Sequence, residues 1–273
     1  MELEPTGERM IMQEYKSSPQ DYLIYLLHIA TYRFAEAYTQ GKRVLDYGCG
    51  SGYGSAQVSR TAASVVAVDV AEEAVAYASS HFSHPNLSFQ RIDPNRPLPF
   101  ADASFDTVLS FQVFEHVADT GRYLAEIRRV LVPGGTLVLV TPDRSTRLLP
   151  GQKPWNRWHL HEYSKAELVA KISPLFDSLE VMGMTARADM IDVEIRRCTK
   201  LKWLSLPFTF PGIPDRWRVA ALNRVHRLRG SRGGEAVESE FGFSVDDIHI
   251  GADASPSVNL VAIASTQPIP TPR

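Results

Sequence analysis

The chain of 273 residues is 44% hydrophobic and 22% charged, the balance of a globular protein. At this length roughly 70–75% of the unfolded surface is buried on folding, with no need of cross-links. Two cysteines, Cys49 and Cys198, exclude a disulfide framework and a four-cysteine zinc site. The acidic start MELEPTGERM lacks the apolar region of a secretion signal, and the apolar run nearest to it, Tyr22 to Ala30, falls far short of the ~20 residues that span a bilayer. The expectation is a soluble cytoplasmic protein. The net charge of −2 hides an asymmetry: between Arg196 and Arg232 ten Lys/Arg stand against one acid, Asp215, leaving nineteen basic and thirty acidic residues elsewhere. That split suggests an acidic body with one basic appendage.

In chain order, residues 20–40 repeat Leu23, Leu26, Leu27, Ala30, Phe34 and Ala37 at helical spacing, and Gly41 stops the helix. RVLDYGCGSGYG then reads as a strand, a glycine loop and the start of a helix at about Ser55. SVVAVDV is a second strand, ending at Asp69 before the helix AEEAVAYASSHF, and LSFQRID a third, ending at Asp93. FDTVLSFQVFEHV is a fourth strand running into a helix-like stretch. TGRYLAEIRRVL is a helix closed by Val132-Pro133-Gly134-Gly135, and TLVLVTP a fifth strand. LFDSLEVMGMTA and VNLVAIAST supply a sixth and a seventh, and the proline-rich end TQPIPTPR reads as a disordered tail. Such alternation implies an open α/β sheet, with ligands at the carboxyl ends of its strands. The expected fold is a Rossmann-like, mostly parallel sheet of seven strands, with an N-terminal lid helix and a basic insertion before the last strand. The expected divisions are 1–40 for lid and helix, 41–186 for the core, 187–257 for the basic cap and 258–273 for the final strand and tail.

In DYGCGSGYG the glycines fall at 48, 50, 52 and 54, so a dinucleotide fingerprint fails at Tyr53, which disfavours a nicotinamide oxidoreductase. The spacing suits a cofactor without a pyrophosphate, because small residues admit close backbone approach and a helix N-terminus offers N–H groups to a carboxylate. Asp69, at the second strand end, can accept two ribose hydroxyls, and Asp93 can accept from an adenine amino group or cap the segment after it.

Taken in order, RVLDYGCGSGYG, VVAVDV, LPFADASFDTVLSFQVFEHV and EIRRVLVPGGTLVLVTP resemble the class I S-adenosylmethionine-dependent methyltransferases. The branch they look most like holds ubiquinone-type O-methyltransferases and bacterial sugar and natural-product enzymes. The resemblance covers roughly residues 40–186 and implies S-adenosyl-L-methionine as cofactor. By it, Asp46, Gly48 and Gly50 would line the methionine portion, Asp69 the ribose, and Ile92 and Asp93 the adenine, with Val70 also binding the cofactor. Ser110, Phe111 and Gln112 would pass beside the sulfonium. GERM at residues 7–10 also resembles an N-terminal segment that lids the cofactor in bacterial glycan-cluster members.

Transfer to a hydroxyl needs an acceptor held in line and a base for its proton. The catalytic candidates are Glu115, His116, His159 and His161. Resemblance to small-RNA 2′-O-methyltransferases implies a divalent-metal alternative with Glu115, His116 and His159 or His161 as ligands, although Gln112 stands where that pattern has an acid. Structural packing of Glu115-His116 and a plain histidine base are the other readings, and no metal is expected. Trp155, Trp158 and Tyr163 can form a stacking wall or pack in the core. Cys49 reads as a small filler of the loop.

In the basic segment, Trp217, Ala221, Val225 and Leu228 form one helical stripe among arginines. It reads either as a cap helix packed by that stripe or as a peripheral contact with the inner membrane face through residues 196–232. Nucleic acid is disfavoured by the lack of interleaved base-stacking residues. The expected function is O-methylation of a hydroxyl on a bacterial glycan, lipid-linked sugar or related metabolite. The alternatives are a small-molecule phenol, natural-product or quinone-precursor methyltransferase, or a non-catalytic cofactor-binding partner.

Overall fold

Short runs of β-branched and aliphatic residues bury both their faces only when helices cover the sheet on each side. The computed structural model, which describes residues 18–229 and 241–267, shows that arrangement. The GERM motif, Arg232 and the last six residues lie outside the described residues. Strands β1 (Arg43–Tyr47), β2 (Ser64–Asp69), β3 (Leu87–Arg91), β4 (Phe105–Phe111), β5 (Leu131–Pro142), β6 (Ser178–Ala186), β7 (Ile248–Gly251) and β8 (Asn259–Ser265) form one sheet in the order β3-β2-β1-β4-β5-β8-β6-β7. The first five strands pair in parallel, β8 runs antiparallel between β5 and β6, and β7 pairs antiparallel with β6. The strand order reverses between β1 and β4, which opens a crevice at their carboxyl ends.

Successive residues point to opposite faces. Leu45, Val108 and Leu137 face one layer, covered by α4 (Thr120–Val130) and α6 (Lys165–Ile172). Val44, Leu109 and Val138 face the other, under α1 (Pro19–Thr39), α2 (Tyr53–Val58) and α7 (Ala188–Thr209). Each leucine so buried contributes roughly 1.5–3 kcal/mol. Ser18 caps α1 by accepting the Asp21 N–H, and Pro19 opens its first turn. The helices α3 (Glu72–His81) and α5 (Arg144–Arg147) complete the body.

The structure departs from the expected fold in two places. The sheet has eight strands, because the stretch read as insertion also holds β7, whose four residues are too few for a periodicity to show. Val132 to Gly135 belong to β5 rather than closing the helix before it. A register shift against β4 between Phe105 and Thr107 accommodates them.

The inserted helices α7 and α8 (Asp215–Arg229) leave the sheet after Ala186 and return at Ile248, and these two residues are register partners. The Arg187 N–H donates to the Asp247 carbonyl at 2.9 Å, and its guanidinium pairs with the Asp247 carboxylate. The stripe expected to hold α8 down is reversed at its start: Trp217 is 64% exposed, while Arg218 is 3% exposed. Arg218 donates to the carbonyls of Pro154 and Asn156, which makes it the inward anchor of the helix.

Candidate active site

At the switch point lies a cavity of about 380 Å³, within the range of small-molecule sites. Its floor is the loop after β1. The N–H groups of Gly48 and Cys49 both donate to the Val68 carbonyl, which draws the loop across the end of β2. Gly48 has φ +95°, and a Cβ there would lie 2.3 Å from Val113 Cγ2, so the position requires glycine. At Gly54 a Cβ would lie 1.9 Å from the Tyr32 ring, so its missing side chain is what lets α1 lie against the loop. Through that contact α1 contributes His28 and Tyr32 to the cavity wall.

Of the expected cofactor residues, Gly48, Gly50, Asp69, Val70, Ile92, Phe111 and Gln112 line this cavity. Asp69 accepts the N–H groups of Gly50 and Ala71, one on each carboxylate oxygen, which fixes its orientation. Asp46 lies behind the loop, buried, with Oδ2 accepting from Ser55 at 2.6 Å and Tyr32 at 3.2 Å. Its Oδ1 has no hydrogen-bond partner among the described residues, and burial, only partly offset by the two bonds, pushes its pKa up to about 6. Like Asp46, Asp93 and Ser110 do not line the cavity. Asp93 is exposed and accepts the Asn95 N–H in a turn, and Ser110 is buried against the Tyr123 hydroxyl. Cys49 lines the cavity, but burial raises its thiol pKa and leaves it a filler.

Past β4 the backbone turns through Gln112, a non-glycine residue at φ +55°, into a 3₁₀ turn at Phe114–His116. Strain of this kind costs of order 1–3 kcal/mol and tends to collect at functional sites. Here it aims Gln112 at the boundary between the cavity and a second chamber of about 150 Å³, both of which it lines. The turn also presents Glu115 and His116. The winding segment from Trp155 to Tyr163 meets it, with the Leu160 N–H donating to the Glu115 carbonyl.

Glu115, His116 and His159 converge, with candidate ligand atoms within 4.8 Å of one another. His116 Nδ1 lies 3.0 Å from the Trp158 carbonyl, which can only accept, so Nδ1 carries the proton and Nε2 is the basic nitrogen. His159 Nδ1 lies 2.7 Å from Glu162, which fixes the same tautomer. Burial alone would raise the pKa of Glu162, but the Arg147 guanidinium and the His159 bond hold it down at about 2. Glu115 is fully enclosed: Oε2 accepts from Thr141, while Oε1 has no hydrogen-bond partner among the described residues. Burial raises its pKa, against the pull of His159 and His116.

His161 is placed apart from this group, as a catalytic candidate and as a ligand. The segment turns so that His159 meets Glu162 three residues on, which swings His161 outward to Tyr163 and to Glu167 at 3.8 Å. Among the aromatic residues Trp158 lines the cavity and Tyr163 is core. Trp155 lies beneath the guanidiniums of Arg147, at 4.2 Å, and Arg197, at 5.3 Å. Those arginines, with Glu194, Asn156, His159 and Asn259, line the second chamber. Sequence reasoning missed Arg147, Glu194 and Arg197, which come from α5 and α7 and carry no local motif; it also missed the cavity role of His28 and Tyr32, whose i, i+4 spacing on α1 was the available signal.

The sequence profile of a methyltransferase domain family matches residues 45–139. A Mycolicibacterium smegmatis protein named as a probable S-adenosylmethionine-dependent methyltransferase is 31% identical over 193 residues, which is 70% of this chain and 72% of that one. A ubiquinone biosynthesis O-methyltransferase of Rhizobium etli is 37% identical over 109 residues, covering 40% of this chain and 44% of its own length. Among solved structures, an S-adenosylmethionine-dependent methyltransferase of Mesorhizobium loti matches with a TM-score of 0.54 at 16% identity, over 88% of this chain and 99% of that one, a likeness of fold.

Proposed function

The chain belongs to the S-adenosylmethionine-dependent methyltransferases, and within that family we propose that it methylates a hydroxyl of a sugar-like, polyhydroxylated acceptor, with His116 taking the proton. The observation that carries this reading is the position of His116, which lines the cofactor cavity with a basic Nε2 and stacks edge-on against His159 of the second chamber at 4.9 Å. S-adenosylmethionine, when bound, supplies a methyl group on a positively charged leaving group. The cavity residues fit it: Asp69 is held with acceptor capacity for a pair of hydroxyls, and Gly50 faces open space where a side chain would otherwise stand. Asp46, behind the loop, does not line the cavity and acts on it through Tyr32, whose hydroxyl donates to it.

Proton transfer to a positioned base is worth about 10²–10⁴-fold. As His116 gains charge, the nearby Glu115 carboxyl stabilises it, and Trp158 holds the ring in place. The second chamber supports a neutral, hydroxylated acceptor. Its arginines are balanced by Glu194 and Glu162, and Gln112, Asn156 and Asn259 add planar donors and acceptors. The Rhizobium etli relative, by its name, transfers methyl to oxygen in ubiquinone biosynthesis, which keeps a quinone precursor as the competing acceptor.

The test is transfer of labelled methyl from S-adenosylmethionine into a cell extract, separated into lipid, polymer and small-molecule fractions. Label in lipid or polymer that survives mild alkali, as a sugar methyl ether does, supports the proposal. Label in a phenolic small molecule replaces the acceptor, and label on nitrogen overturns the hydroxyl reading. A second reading rests on the convergence of Glu115, His116 and His159: a divalent cation held there would activate the hydroxyl directly. Loss of activity on chelation, restored by added metal, supports it, and full activity after exhaustive chelation removes it.

A further inference from the structure

Among the described residues, five of the nine large hydrophobic side chains left exposed fall within fifteen positions, Trp203, Leu204, Phe208, Phe210 and Trp217. They occupy the end of α7, the connecting turn and the first turn of α8. Prolines 207, 211 and 214, also exposed, stand between them. Isolated exposed apolar residues need no explanation, but a cluster this dense marks a surface that meets something apolar.

The first half of α7 packs Met190 and Ile191 into the core, but from there to the start of α8 the pattern is inside out. On α7, Cys198, Ser205 and Thr209 share the inward face, where Gln152 donates to the Thr209 hydroxyl and to the Lys202 carbonyl. Lys200, Trp203, Leu204, Pro207 and Phe208, at i, i+3, i+4, i+7 and i+8, share the outward face. On α8 Arg218 is buried while its neighbour Trp217 is exposed. A helix that hydrogen-bonds its small polar residues to the body while turning tryptophan and phenylalanine out is patterned for an apolar exterior.

The flanking charges identify that exterior. Lys200, Arg216 and Arg224 are exposed and enter no ion pair among the described residues, whereas the one acid of the turn, Asp215, is taken up by Lys153 and Arg218. Aromatic rings at a tip ringed by cations match the interface of a bilayer with anionic headgroups. There the rings seat at headgroup level, and each cation near the surface strengthens attraction. No helix among the described residues is long and apolar enough to cross a membrane, so the contact is peripheral.

We infer that the α7–α8 tip docks on an anionic lipid surface. Its inner face supplies Glu194 and Arg197 to the second chamber, so docking holds that chamber close to the membrane. The inference stands on the tip's patterning and does not depend on which acceptor is methylated.

The experiment is flotation of the full chain with vesicles of phosphatidylcholine alone or with about 30 mol% phosphatidylglycerol, whose negative surface potential attracts basic segments. The companion protein carries Trp203→Ser, Phe210→Ser and Trp217→Ser, all at exposed positions. The native chain is expected to float with the anionic vesicles. The triple variant is expected to lose about tenfold or more in apparent affinity while keeping its thermal midpoint and its affinity for S-adenosylmethionine. Native protein that stays at the bottom with anionic vesicles overturns the inference, as does a variant that floats equally well. So does a native dimer, seen by sedimentation, that the variant breaks without any vesicle binding, since the tip is then an interface between copies. Because flotation reads binding without turnover, a failed acceptor assignment and a failed docking surface are told apart.

Discussion

Strands β1, β4 and β5 bury Leu45, Val108 and Leu137 at the centre of the sheet, while α7 and α8 bury Ser205, Thr209 and Arg218 and leave Trp203 and Trp217 outside. The first region is organised by removing apolar surface from water, and its polar residues are positioned at strand ends for chemistry. The second joins the core through Met190 and Ile191 at the start of α7, but its far end is attached by hydrogen bonds and ion pairs and carries its apolar surface outward. Both patterns come from ordinary helices and strands. The difference shows that which face an element buries is decided by its docking partners as much as by its own composition.

Four substitutions sharpen or break this contrast. His116→Ala, in the core half, is expected to slow methyl transfer by about 10²–10⁴-fold, a barrier change of about 3–5 kcal/mol, with cofactor affinity intact by calorimetry. An unchanged rate would take the base role away from this residue.

Glu162→Gln, at the junction of the two regions, leaves Arg147 buried beside a neutral amide and is expected to destabilise the fold by about 3 kcal/mol near neutral pH. The sign follows from the depressed pKa. The native carboxylate stabilises the fold above about 4.5, its ordinary value, and that stabilisation disappears as pH falls toward about 2. Denaturant titrations should therefore show an acid limb in the native protein that flattens in the variant.

Asp46→Asn is expected to work in the other direction. A carboxyl raised to about 6 from 3.8 makes the cofactor-free fold lose stability as pH rises between those values. Removing the charge should then stabilise the cofactor-free protein by about 2–3 kcal/mol at pH 8. A variant less stable than the native protein at pH 8 would contradict the assignment.

The smallest effect belongs to the cap. Trp217→Gln should shift unfolding free energy by no more than about 0.5 kcal/mol, where a packed tryptophan would cost about 3–5. A loss above 2 kcal/mol would mean that the tip is core after all and would dissolve the contrast between the regions.

Much of the first region was legible in the sequence because its signals are local. Apolar runs ending in Asp46 and Asp69, with glycines two and four residues past Asp46, place strands, loop and cavity without reference to distant residues. The lapses have local causes as well. Asp93 ends the segment after a strand as the others do, yet Pro94 and Asn95 turn its carboxylate into the loop. His159 and His161 are equivalent by spacing, and only the turn to Glu162 separates them. The second region was legible in charge but not in orientation, since composition alone puts tryptophan inside and arginine outside. Arg147, Glu162, Glu194 and Arg197 come together from elements up to fifty residues apart, so no window on the sequence shows their network.

The return of β8 between β5 and β6 has a consequence for how such a protein can change. Because Ala186 and Ile248 are neighbours across the sheet edge and Arg187 clasps Asp247, the inserted stretch enters and leaves through a single gap. Its length can grow or shrink at a closure cost that rises only with the logarithm of the number of residues, while β1 to β5 keep their register. The parallel half and the inserted half can then diverge at independent rates. Descendants of one sheet can thereby acquire new surfaces by exchanging what hangs from that gap.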